Sequence, residues 1–574
     1  MPMHNVEIAA ALNKLADLLE IEGANPYRVR AYRNAAQTVA GLSRSVADMV
    51  AAGEDLSELP CIGEALCNKL VEIVQTGHLS ALEKEERKLA PTLTELLKVP
   101  GLGPRRVRAL YERLKIADLE QLKRAARAGR LRELPGFGAL TERKILDFLR
   151  QTQEGAARCL RAAAAELLES LVGRLAATPG VARVEPAGSF RRCCETVGDL
   201  DVLAAAEDAA AAIAAFTGHE DVLKVLAQGD TRASVVLRSG LQADLRVVPA
   251  ASFGAALHYF TGSKSHNIAI RTRGVERGLK INEYGVFRGE ERIGGAREED
   301  VFAAVGLPLI APELRENRGE IEAAEQGRLP ALVRLEDIRG DLQSHTDATD
   351  GRDSLERMAE AAQGRGYAYL AVTDHSKHLA MARGLNATRL ARQLRAIDKL
   401  NSRFQGFRLL KSCEVDILED GSLDLSDDVL RELDLVVAAV HYRFALSRDR
   451  QTERIIRALD NPCVHVLAHP TGRLINERPP LDLDLERLLL AARDRGCFLE
   501  LNAQPSRLDL ADLHCRQARE LGVKIVISTD AHAAAELAFM RYGVDQARRG
   551  WLTAADVPNT RDWAGLQKLL RPRS

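Results

Sequence analysis

The sequence lacks the marks of a secreted, membrane-spanning or disulfide-linked protein. Its nine cysteines are an odd number with no Cys-x-x-Cys pair, which argues against a disulfide framework and against cysteine-ligated zinc. No uncharged apolar run reaches the roughly 18 residues that a membrane span needs, and the N-terminus is acidic where a secretory signal is basic and then apolar. These absences predict a protein of the reducing cytoplasm with no membrane partner.

The chain also has little net charge, because 80 Lys and Arg stand against 81 Asp and Glu, which gives a formal net charge of −1. The charge is unevenly distributed. Residues 91–150 hold 14 basic and 7 acidic residues, whereas residues 1–90 hold 9 basic and 13 acidic ones. A surface that binds a polyanion is therefore expected to be local. The length of 574 residues predicts about four domains.

Three related phrases recur early in the chain: LPCIG at 59–63, VPGLG at 99–103 and LPGFG at 134–138, each before a helical stretch. A Gly-x-Gly corner at a helix N-terminus can present backbone N–H groups to a DNA phosphate. The alternative is that these corners only start helices, but three copies beside a basic surplus favour DNA-backbone contact. The candidate DNA-binding residues are Gly101, Gly103, Arg105, Arg106, Gly136 and Gly138. Cys61 replaces the first glycine in the first copy, which makes that hairpin the weakest.

A cluster of carboxylates lies in the alternating strands between about 180 and 250. Asp199 and Asp201 are two apart in one strand and so share a face, and Asp244 can join them from a neighbouring strand. Three adjacent carboxylates repel one another, and oxygen ligands of this type suit Mg²⁺ or Mn²⁺. Alternatively, these aspartates could simply lie on the solvent-exposed face of an edge strand. The apolar residues that flank them disfavour this alternative.

Residues that precede Asp199 and Asp201 in the sequence have side chains and backbone groups that can bind phosphate. Gly188 and Ser189 follow a strand and can offer backbone and hydroxyl contacts to phosphate oxygens, and Arg192 can add positive charge. The sequence therefore predicts a nucleotide site next to the carboxylates.

Strand-like runs alternate with helices beyond residue 338, which predicts parallel β/α units closed as a barrel. Eight of the 13 histidines lie there. An isolated strand-end histidine is usually a packed core residue, but this recurrence favours a multinuclear metal site. The candidate ligands are His345, Asp350, His375, Glu414, His441, His469, Asp530 and His532. His378, His465 and His514 fall outside the pattern and are predicted to be packing or surface residues.

Four motifs in the first 315 residues carry a family resemblance: GSFRRCCETVGDLDVL, ADLRVVP, YFTGSKSHN and INEY. Together with NPYRVRAYRNAA they resemble the family X DNA polymerases, the group that contains polymerase beta. The resemblance implies helix-hairpin-helix domains followed by an α+β nucleotidyltransferase palm and a thumb. It implies two-metal transfer of a nucleotide from dNTP to a primer 3′-hydroxyl on gapped or primed DNA.

The resemblance also assigns roles in the palm and thumb. Asp199 and Asp201 would bridge both metals, and Asp244 would bind the one that activates the primer. The nucleotide-binding residues it implies are Gly188, Ser189, Arg192, Gly198, Tyr259, Phe260, Gly262 and Asn267, with the backbone at 260–262 excluding a ribose 2′-hydroxyl. Val197 and Gln242 depart from the family pattern, where a phosphate-binding Ser and a primer-contacting Arg are common.

Lys69 matches the position of the lyase nucleophile of the family's small domain, which removes a 5′-deoxyribose phosphate through an imine. A nucleophilic lysine needs a lowered pKa. An ordinary lysine on a helix surface is the alternative, and the acidic N-terminal domain favours it. Lyase activity is therefore left open.

The motifs GDLQSHTDATDG, AVTDHS, EVDI, AVHY, LAHPT and STDAH resemble the polymerase and histidinol phosphatase (PHP) domain. This resemblance implies a distorted (β/α)₇ barrel with nine ligands for up to three Zn²⁺ or Mn²⁺ ions, and a metal-dependent 3′–5′ exonuclease or phosphodiesterase activity. Eight ligand positions match. Gln343 stands at the ninth, where histidine is typical, and an amide oxygen is a poorer ligand for zinc.

The predicted domains are a lyase-like helix-hairpin-helix domain at 1–90, fingers at 91–150, a palm at 151–250, a thumb at 251–315, a linker at 316–337 and the PHP domain at 338–574. The resulting hypothesis is a monomeric bacterial polymerase that fills short gaps in DNA repair in the nucleoid. A free histidinol-phosphate-type phosphatase would leave the first 315 residues unexplained. A DNA-end-binding scaffold with decayed catalysis would be expected to have lost the palm carboxylates, which are all present.

Overall fold

The computed structural model describes residues 5–42, 46–88, 96, 99, 102–134, 137–138, 142, 145–146 and 158–570. The residues form two compact units, 1–157 and 158–574. The described part of the first unit is helical, and all described strands belong to the second. Within the described ranges no helix is both long enough and apolar enough to cross a membrane.

The helices of the first unit pack through apolar stripes at helical spacing. Leu12, Leu15 and Leu19 recur three and four residues apart and are fully buried in one core. A second core joins Ile21 to apolar residues between 96 and 145. The described helices are α1 (Asn5–Glu22), α2 (Pro26–Gly41), α3 (Val46–Ala51), α4 (Glu64–Thr76), α5 (Ser80–Lys88), α6 (Pro104–Leu114) and α7 (Leu119–Arg127), with 3₁₀ turns at Leu56–Glu58 and Leu131–Glu133.

The repeated corners begin helices, as their sequences predict. Gly63 is the N-cap of α4, and Gly103 is the N-cap of α6 with Pro104 as its first residue. Cys61 has a φ of 62°, so the position that is glycine in the other copies is left-handed here. A non-glycine residue in that conformation costs about 1–2 kcal/mol.

The second unit begins with a mixed five-stranded sheet in the order β2-β4-β7-β6-β5, in which β4 and β7 are parallel and the other pairs are antiparallel. Alternate residues of β4, among them Leu200, Val202 and Ala204, are buried against helices. This part contains β1 (Cys159–Leu160), α8 (Arg161–Ala176), β2 (Val181–Pro186), α9 (Gly188–Arg191), β3 (Thr196–Val197), β4 (Asp199–Ala206), α10 (Ala209–Thr217), β5 (Val222–Gln228), β6 (Arg232–Leu237) and β7 (Gln242–Val248).

A smaller antiparallel sheet in the order β10-β9-β8 follows, packed with helices around Phe302 and Ile270. Its elements are α11 (Phe253–Thr261), α12 (Lys264–Glu276), β8 (Leu279–Asn282), β9 (Gly285–Arg288), β10 (Glu291–Gly294) and α13 (Glu298–Ala304), preceded by a 3₁₀ turn at Ala250–Ser252 and followed by another at Pro312–Leu314.

The segment 316–337, expected to be a linker outside the core, contributes buried side chains. It forms α14 (Glu320–Glu325) and a 3₁₀ turn at Leu335–Asp337. Ile321 and Ala324 join a core that also contains Trp551. Glu320 is fully buried because it contacts His266 Nδ1 at 2.7 Å and accepts hydrogen bonds from two backbone N–H groups. The polar segment therefore includes a helix whose first carboxylate is buried and hydrogen-bonded.

The rest of the chain forms a seven-stranded parallel sheet in the order β11 to β17. A parallel bridge between Ser344 and Ala531 joins its two ends, and the amide of His345 donates to the carbonyl of Ala531 at 2.8 Å. The sheet is thus a nearly closed barrel, and strands of only two residues at β11 and β15 account for its distortion. The predicted (β/α)₇ barrel is confirmed.

The barrel strands are β11 (Gly340–Asp341), β12 (Tyr369–Val372), β13 (Arg408–Asp416), β14 (Leu435–Ala439), β15 (Val466–Leu467), β16 (Phe498–Asn502) and β17 (Ile525–Ser528). The helices are α15 (Leu355–Gly364), α16 (Ala387–Asn401), α17 (Asp427–Leu430), α18 (Arg448–Asp460), α19 (Leu485–Arg495), α20 (Asp512–Glu520), α21 (Met540–Arg549) and α22 (Trp563–Gln567). Short 3₁₀ turns lie at Ala380–Ala382, Ala534–Phe539 and Pro558–Thr560.

Candidate active sites

The palm carboxylates meet on two adjacent strands. In the parallel pairing of β4 with β7, Asp201 lies directly opposite Asp244, and Asp199 lies opposite Gln242. Because side chains alternate along a strand, Asp199 and Asp201 leave the same face, and Asp244 leaves that face beside them. The structure therefore brings the three predicted carboxylates together.

Electrostatics at this cluster favour a bound cation. Burial and the neighbouring Asp199 and Asp244 carboxylates raise the pKa of Asp201 to about 7. Burial and Asp244 also raise the pKa of Asp199. Two or more carboxylates that cannot all ionise freely lower their energy by sharing divalent cations.

Gly188 makes room for the Asp201 carboxylate. It has a φ of 58°, and a Cβ built on it would collide with Asp201 Oδ2. The neighbouring amide of Ala187 donates to the Asp201 carbonyl at 2.8 Å. Gly188 is therefore required both for its left-handed backbone and for its missing side chain.

Asp244 is held by two neutral donors, one of which was not predicted from the sequence. The hydroxyl of Ser234, opposite Asp244 in the antiparallel pairing of β6 with β7, donates to Asp244 Oδ1. The Gln242 amide donates to Asp244 Oδ2 at 2.7 Å. Ser234 could have been found from the alternation of ASVVL, whose register places it next to the acidic face.

Around the predicted nucleotide pocket, Arg192 donates to the Thr261 carbonyl at 2.6 Å and to Glu316 Oε1 at 3.1 Å. The adjacent Gly262 has a φ of 72°. Asn267 Nδ2 donates to the Tyr259 carbonyl at 2.7 Å, which ties one predicted residue to another.

The remaining predicted nucleotide residues lie beside these. The rings of Tyr259 and Phe260 meet edge to face at 5.2 Å. Ser189 is half-buried on α9, next to Gly188. Gly198 is exposed between β3 and β4, beside the guanidinium of Arg158.

The barrel brings the predicted histidines and acids to one end of its strands. Glu414 is at the centre and is 1 % exposed. Its oxygens lie 3.0 Å from His469 Nε2, 3.2 Å from His441 Nε2 and 3.1 Å from His375 Nδ1. His345 Nε2 lies 3.4 Å from the same carboxylate. A buried carboxylate with imidazole nitrogens this close on several sides has the geometry of a bridging metal ligand.

Two groups of side chains in this cluster have ligand atoms within 4.8 Å of one another. His375 belongs to both groups. Its Nε2 contacts Asp350 at 3.1 Å while His345 Nε2 contacts Asp530 at 3.0 Å. The first group is His345, Asp350, His375 and His532, and the second is His375, Glu414 and His441.

The charges of this cluster are already balanced by its own residues. Burial would lower the pKa of His441, but Glu414 and Asp416 raise it to about 10. Burial likewise opposes the charge on His532, and Asp350 and Asp530 raise its pKa to about 9. The carboxylates of the cluster therefore stabilise positive charge at these two imidazoles.

Asp416 was not identified from the sequence. It lies two residues after Glu414 on β13, and its Oδ1 is 2.7 Å from His441 Nδ1. This contact leaves His441 Nε2 facing Glu414. Carboxylates that hydrogen-bond one nitrogen of a metal-bound histidine orient the other nitrogen in the same way. The signal was present, because Glu414 and Asp416 in EVDI share a strand face.

Gln343 is 1 % exposed, and neither atom of its side-chain amide has a hydrogen-bond partner among the described residues. A buried amide without a partner costs about 1–3 kcal/mol. The amide oxygen and amide nitrogen of Gln343 are therefore both available to a ligand that the described residues do not supply.

The histidines outside the pattern lie apart from this cluster. His465 Nδ1 accepts from the Val436 amide at 3.1 Å. His378 is exposed and lies 4.5 Å from the Tyr442 ring, and His514 is half-buried on α20.

The predicted DNA-binding residues are only partly within the described ranges. Gly101 and Gly136 lie outside them, as does the side chain of Arg105. Gly103 and Gly138 are exposed, and a Cβ on either would meet nothing within 4 Å. Arg106 is half-buried with its guanidinium 5.7 Å from the Phe137 ring centre.

Lys69 is half-buried on α4, where its ammonium donates to the Ala65 carbonyl at 3.3 Å. The pKa of the nearby Glu72 carboxyl is lowered, first by its hydrogen bond with Ser80 and in smaller part by the charge of Lys69. These are the surroundings of a helix-surface lysine.

Comparisons with known proteins match this arrangement along the whole chain. Residues 3–79 match a helix-hairpin-helix domain, residues 93–151 a SAM-like helix-hairpin-helix tandem, and residues 256–316 the DNA polymerase beta thumb. The DNA polymerase/3′-5′ exonuclease PolX of Bacillus subtilis is 39% identical over 573 residues, which cover 99% of this chain and 100% of that protein.

The chain belongs to the family X DNA polymerases that carry a PHP domain. More distant relatives match its two halves separately. DNA polymerase lambda of Rattus norvegicus is 25% identical over 344 residues, covering 54% of this chain and 56% of that protein. A probable phosphatase of Thermoanaerobacter sp. is 29% identical over 231 residues, covering 38% of this chain and 89% of the phosphatase. The family X assignment therefore accounts for both the palm and the barrel.

Proposed function

We propose that this family X polymerase is a DNA-directed DNA polymerase whose PHP barrel is a 3′–5′ exonuclease. The observation that carries the polymerase activity is the pairing of Asp201 with Asp244 across β4 and β7, with Asp199 on the same face. The observation that carries the exonuclease is Glu414 among several imidazoles.

In the palm, Asp199, Asp201 and Asp244 would hold Mg²⁺ or Mn²⁺, which their crowded oxygens and raised pKa values suit. Such ions lower the pKa of the attacking hydroxyl and stabilise the leaving pyrophosphate. The chain's own contribution is positional. Ser234 and Gln242 orient Asp244, and Gly188 leaves space for Asp201.

The nucleotide is proposed to bind beside these carboxylates. Gly188, Ser189, Arg192 and Gly198 would contact the triphosphate. The Tyr259 and Phe260 pair would shape the sugar pocket together with the backbone up to Gly262. Asn267, through its bond to the Tyr259 carbonyl, would sit at the base edge.

In the barrel, the ligand set fits Zn²⁺ or Mn²⁺ because imidazoles and carboxylates converge there. Bound ions would supply an activated water and a polarised phosphate. Asp416 orients His441, and the eight matching residues would hold up to three ions. Gln343 would offer an amide oxygen at the ninth position, which favours Mn²⁺ over Zn²⁺ there because amide oxygen is a hard ligand.

DNA is proposed to contact the helix-hairpin-helix corners through Gly101, Gly103, Gly136 and Gly138, with Arg105 and Arg106 beside them. A 5′-deoxyribose phosphate lyase activity would use Lys69. Its contact with the Ala65 carbonyl and its nearness to Glu72 favour a surface role instead.

We further propose that the enzyme acts as a monomer in the cytoplasm, on nucleoid DNA, filling short gaps during base excision repair. The domain boundaries at 90, 150, 250, 315 and 337 remain predictions. The balance between the two activities would decide whether a primer end is extended or trimmed.

Primer extension on a one-nucleotide gapped duplex, with Mg²⁺ and with Mn²⁺, tests the polymerase. Asp201→Ala should extend the primer at least about 10²-fold more slowly, because a metal ligand is removed. Extension by Asp201→Ala at the wild-type rate would contradict the proposal. For the exonuclease, a 3′-labelled single strand should be degraded by metal-loaded enzyme and not after chelation, and a failure to degrade it with added Mn²⁺ or Zn²⁺ would contradict that half.

A further inference from the structure

The last residue of α21 in the PHP barrel reaches the predicted nucleotide pocket. Arg549 is 7% exposed at its side chain and donates through Nη1 to the backbone carbonyl of Arg192 at 2.7 Å. Arg192 is the arginine that the proposed function assigns to the triphosphate. A residue of the nuclease domain therefore holds the backbone of a residue of the polymerase pocket.

Arg549 and Arg192 also share one carboxylate oxygen. Glu316 Oε1 accepts from Arg549 Nη1 at 3.0 Å and from Arg192 Nε at 3.1 Å. Burial would raise the pKa of Glu316, but Arg549 and Arg192 hold it below its usual value. One negative charge is thus divided between two guanidinium groups.

The second carboxylate of the network belongs to the barrel. Asp512 Oδ2 accepts from Arg549 Nη2 at 2.8 Å and from Arg318 Nη1 at 2.9 Å. The network therefore contains three arginines and two carboxylates, a surplus of one positive charge. The side chains of Glu316, Asp512 and Arg192 are each 15–17% exposed, so their interactions are screened less than those of surface ion pairs.

One arginine of the network, Arg192, borders the predicted pocket. Arg192 Nη1 donates to the Thr261 carbonyl, beside the predicted sugar-binding backbone. If Arg549 were absent, Glu316 would pair with Arg192 alone and neutralise it. With Arg549 present, Arg192 keeps part of its positive charge for an anion such as a triphosphate.

We propose that Arg549 is a positioning residue of the polymerase site, which shares the Glu316 carboxylate with Arg192 and so maintains affinity for the incoming nucleotide. This inference rests on the proposed role of Arg192 in triphosphate binding. It makes the PHP domain a structural part of the polymerase pocket, independently of its own metal site.

The test is steady-state gap filling by the full chain at saturating DNA, with the KM for dNTP and kcat measured separately. Arg549→Met should raise the KM about five- to tenfold with kcat little changed, since a partly buried charge interaction is removed. In a Glu316→Gln background the same substitution should have no further effect on KM, because the competing charge is gone. Arg549→Lys, which keeps the charge, should restore most of the affinity.

Arg548→Met is the matched control. Arg548 is the preceding residue of α21 and pairs with Glu313 at 2.7 Å, on a different carboxylate from the one that Arg549 and Arg192 share. It should leave the KM for dNTP unchanged. An equal rise in KM for Arg548→Met and Arg549→Met would overturn the inference. Weaker packing of α21 against residues 313–318 would then explain both results.

Failure of the inference is distinguishable from failure of the proposed function. Arg192→Met should raise the KM for dNTP, and an unchanged KM there would contradict the triphosphate role itself. A raised KM for Arg192→Met with a normal KM for Arg549→Met would overturn only the inference. Arg549→Met could fail to fold, which absent exonuclease activity and a lowered Tm would reveal. In that case two other variants decide. An unchanged KM for dNTP in Glu316→Gln together with a raised KM for dNTP in Arg549→Lys would overturn the inference.

Discussion

The palm and the barrel build their acidic sites in opposite ways. In the palm, Asp244 is held by the neutral donors Ser234 and Gln242, and the pKa of Asp201 is raised to about 7 by burial and by its acidic neighbours. In the barrel, Glu414 is surrounded by imidazoles and its pKa is held well below the usual value despite burial. The palm thus gathers carboxylates that repel one another, whereas the barrel places its carboxylates against imidazoles.

Apart from replacing the predicted metal ligands themselves, the largest effect that separates the two sites is expected at Asp416. Replacing it by Ala removes the carboxylate that orients His441, and such changes cost about 10–100-fold in metal affinity or activity. Exonuclease activity should fall by that amount while gap filling stays normal. Asp420→Ala is the control, because Asp420 is exposed on the following turn and accepts from Ser422. An equal fall in exonuclease activity in Asp416→Ala and Asp420→Ala would contradict the proposed role of Asp416 in orienting His441.

The palm has its own sensitive position at Gly188. Gly188→Ala would put a Cβ against Asp201 and force alanine into a left-handed backbone, so extension should fall at least about tenfold. Gly180→Ala is the matched control, because Gly180 also has a positive φ, 83°, but open space around it. The measurement is the rate of primer extension on gapped DNA by Gly188→Ala and by Gly180→Ala. If both variants extend equally well, the packing of Gly188 against Asp201 has no catalytic consequence.

A smaller effect is expected at Gln343. Gln343→Leu should weaken the binding of one Mn²⁺ ion by about tenfold if the amide is a ligand. Titration against a chelator with metal counting by mass spectrometry measures this without an activity assay. Unchanged Mn²⁺ affinity together with a more stable protein would instead show that the buried amide contributes only its desolvation cost.

The smallest effect concerns the hairpins. Replacing Arg105 and Arg106 by Ala should reduce the salt dependence of DNA affinity by about one unit of log–log slope for each phosphate that is no longer neutralised. Arg124→Ala, at an exposed basic position on α7, tests whether any nearby positive charge has the same effect. An unchanged slope for Arg106→Ala would leave its interaction with the Phe137 ring as its role.

Strand alternation and turn chemistry predicted much of both sites, because those rules are local. The shared face of Asp199 and Asp201 follows from period-two alternation, and the strand-end positions of the barrel histidines follow from apolar runs that alternate with helices and end on polar residues. The same alternation places Asp416 on the face of Glu414 and Ser234 on one face of its strand, but their partners His441 and Asp244 lie on other strands, and strand order is not a local property. The helix at Glu320–Glu325 was not predicted, because Glu320 is buried by pairing with a residue 54 positions away.

The central claim is that one chain holds two independent metal-dependent sites, and reciprocal variants test it most directly. Both activities are measured on the same gapped duplex with a labelled primer, for wild type, Asp201→Ala and His469→Ala. The account predicts that Asp201→Ala degrades the primer without extending it and that His469→Ala extends it without degrading it. Loss of both activities in either single variant, with the fold intact, would contradict independence and would place both reactions at one site.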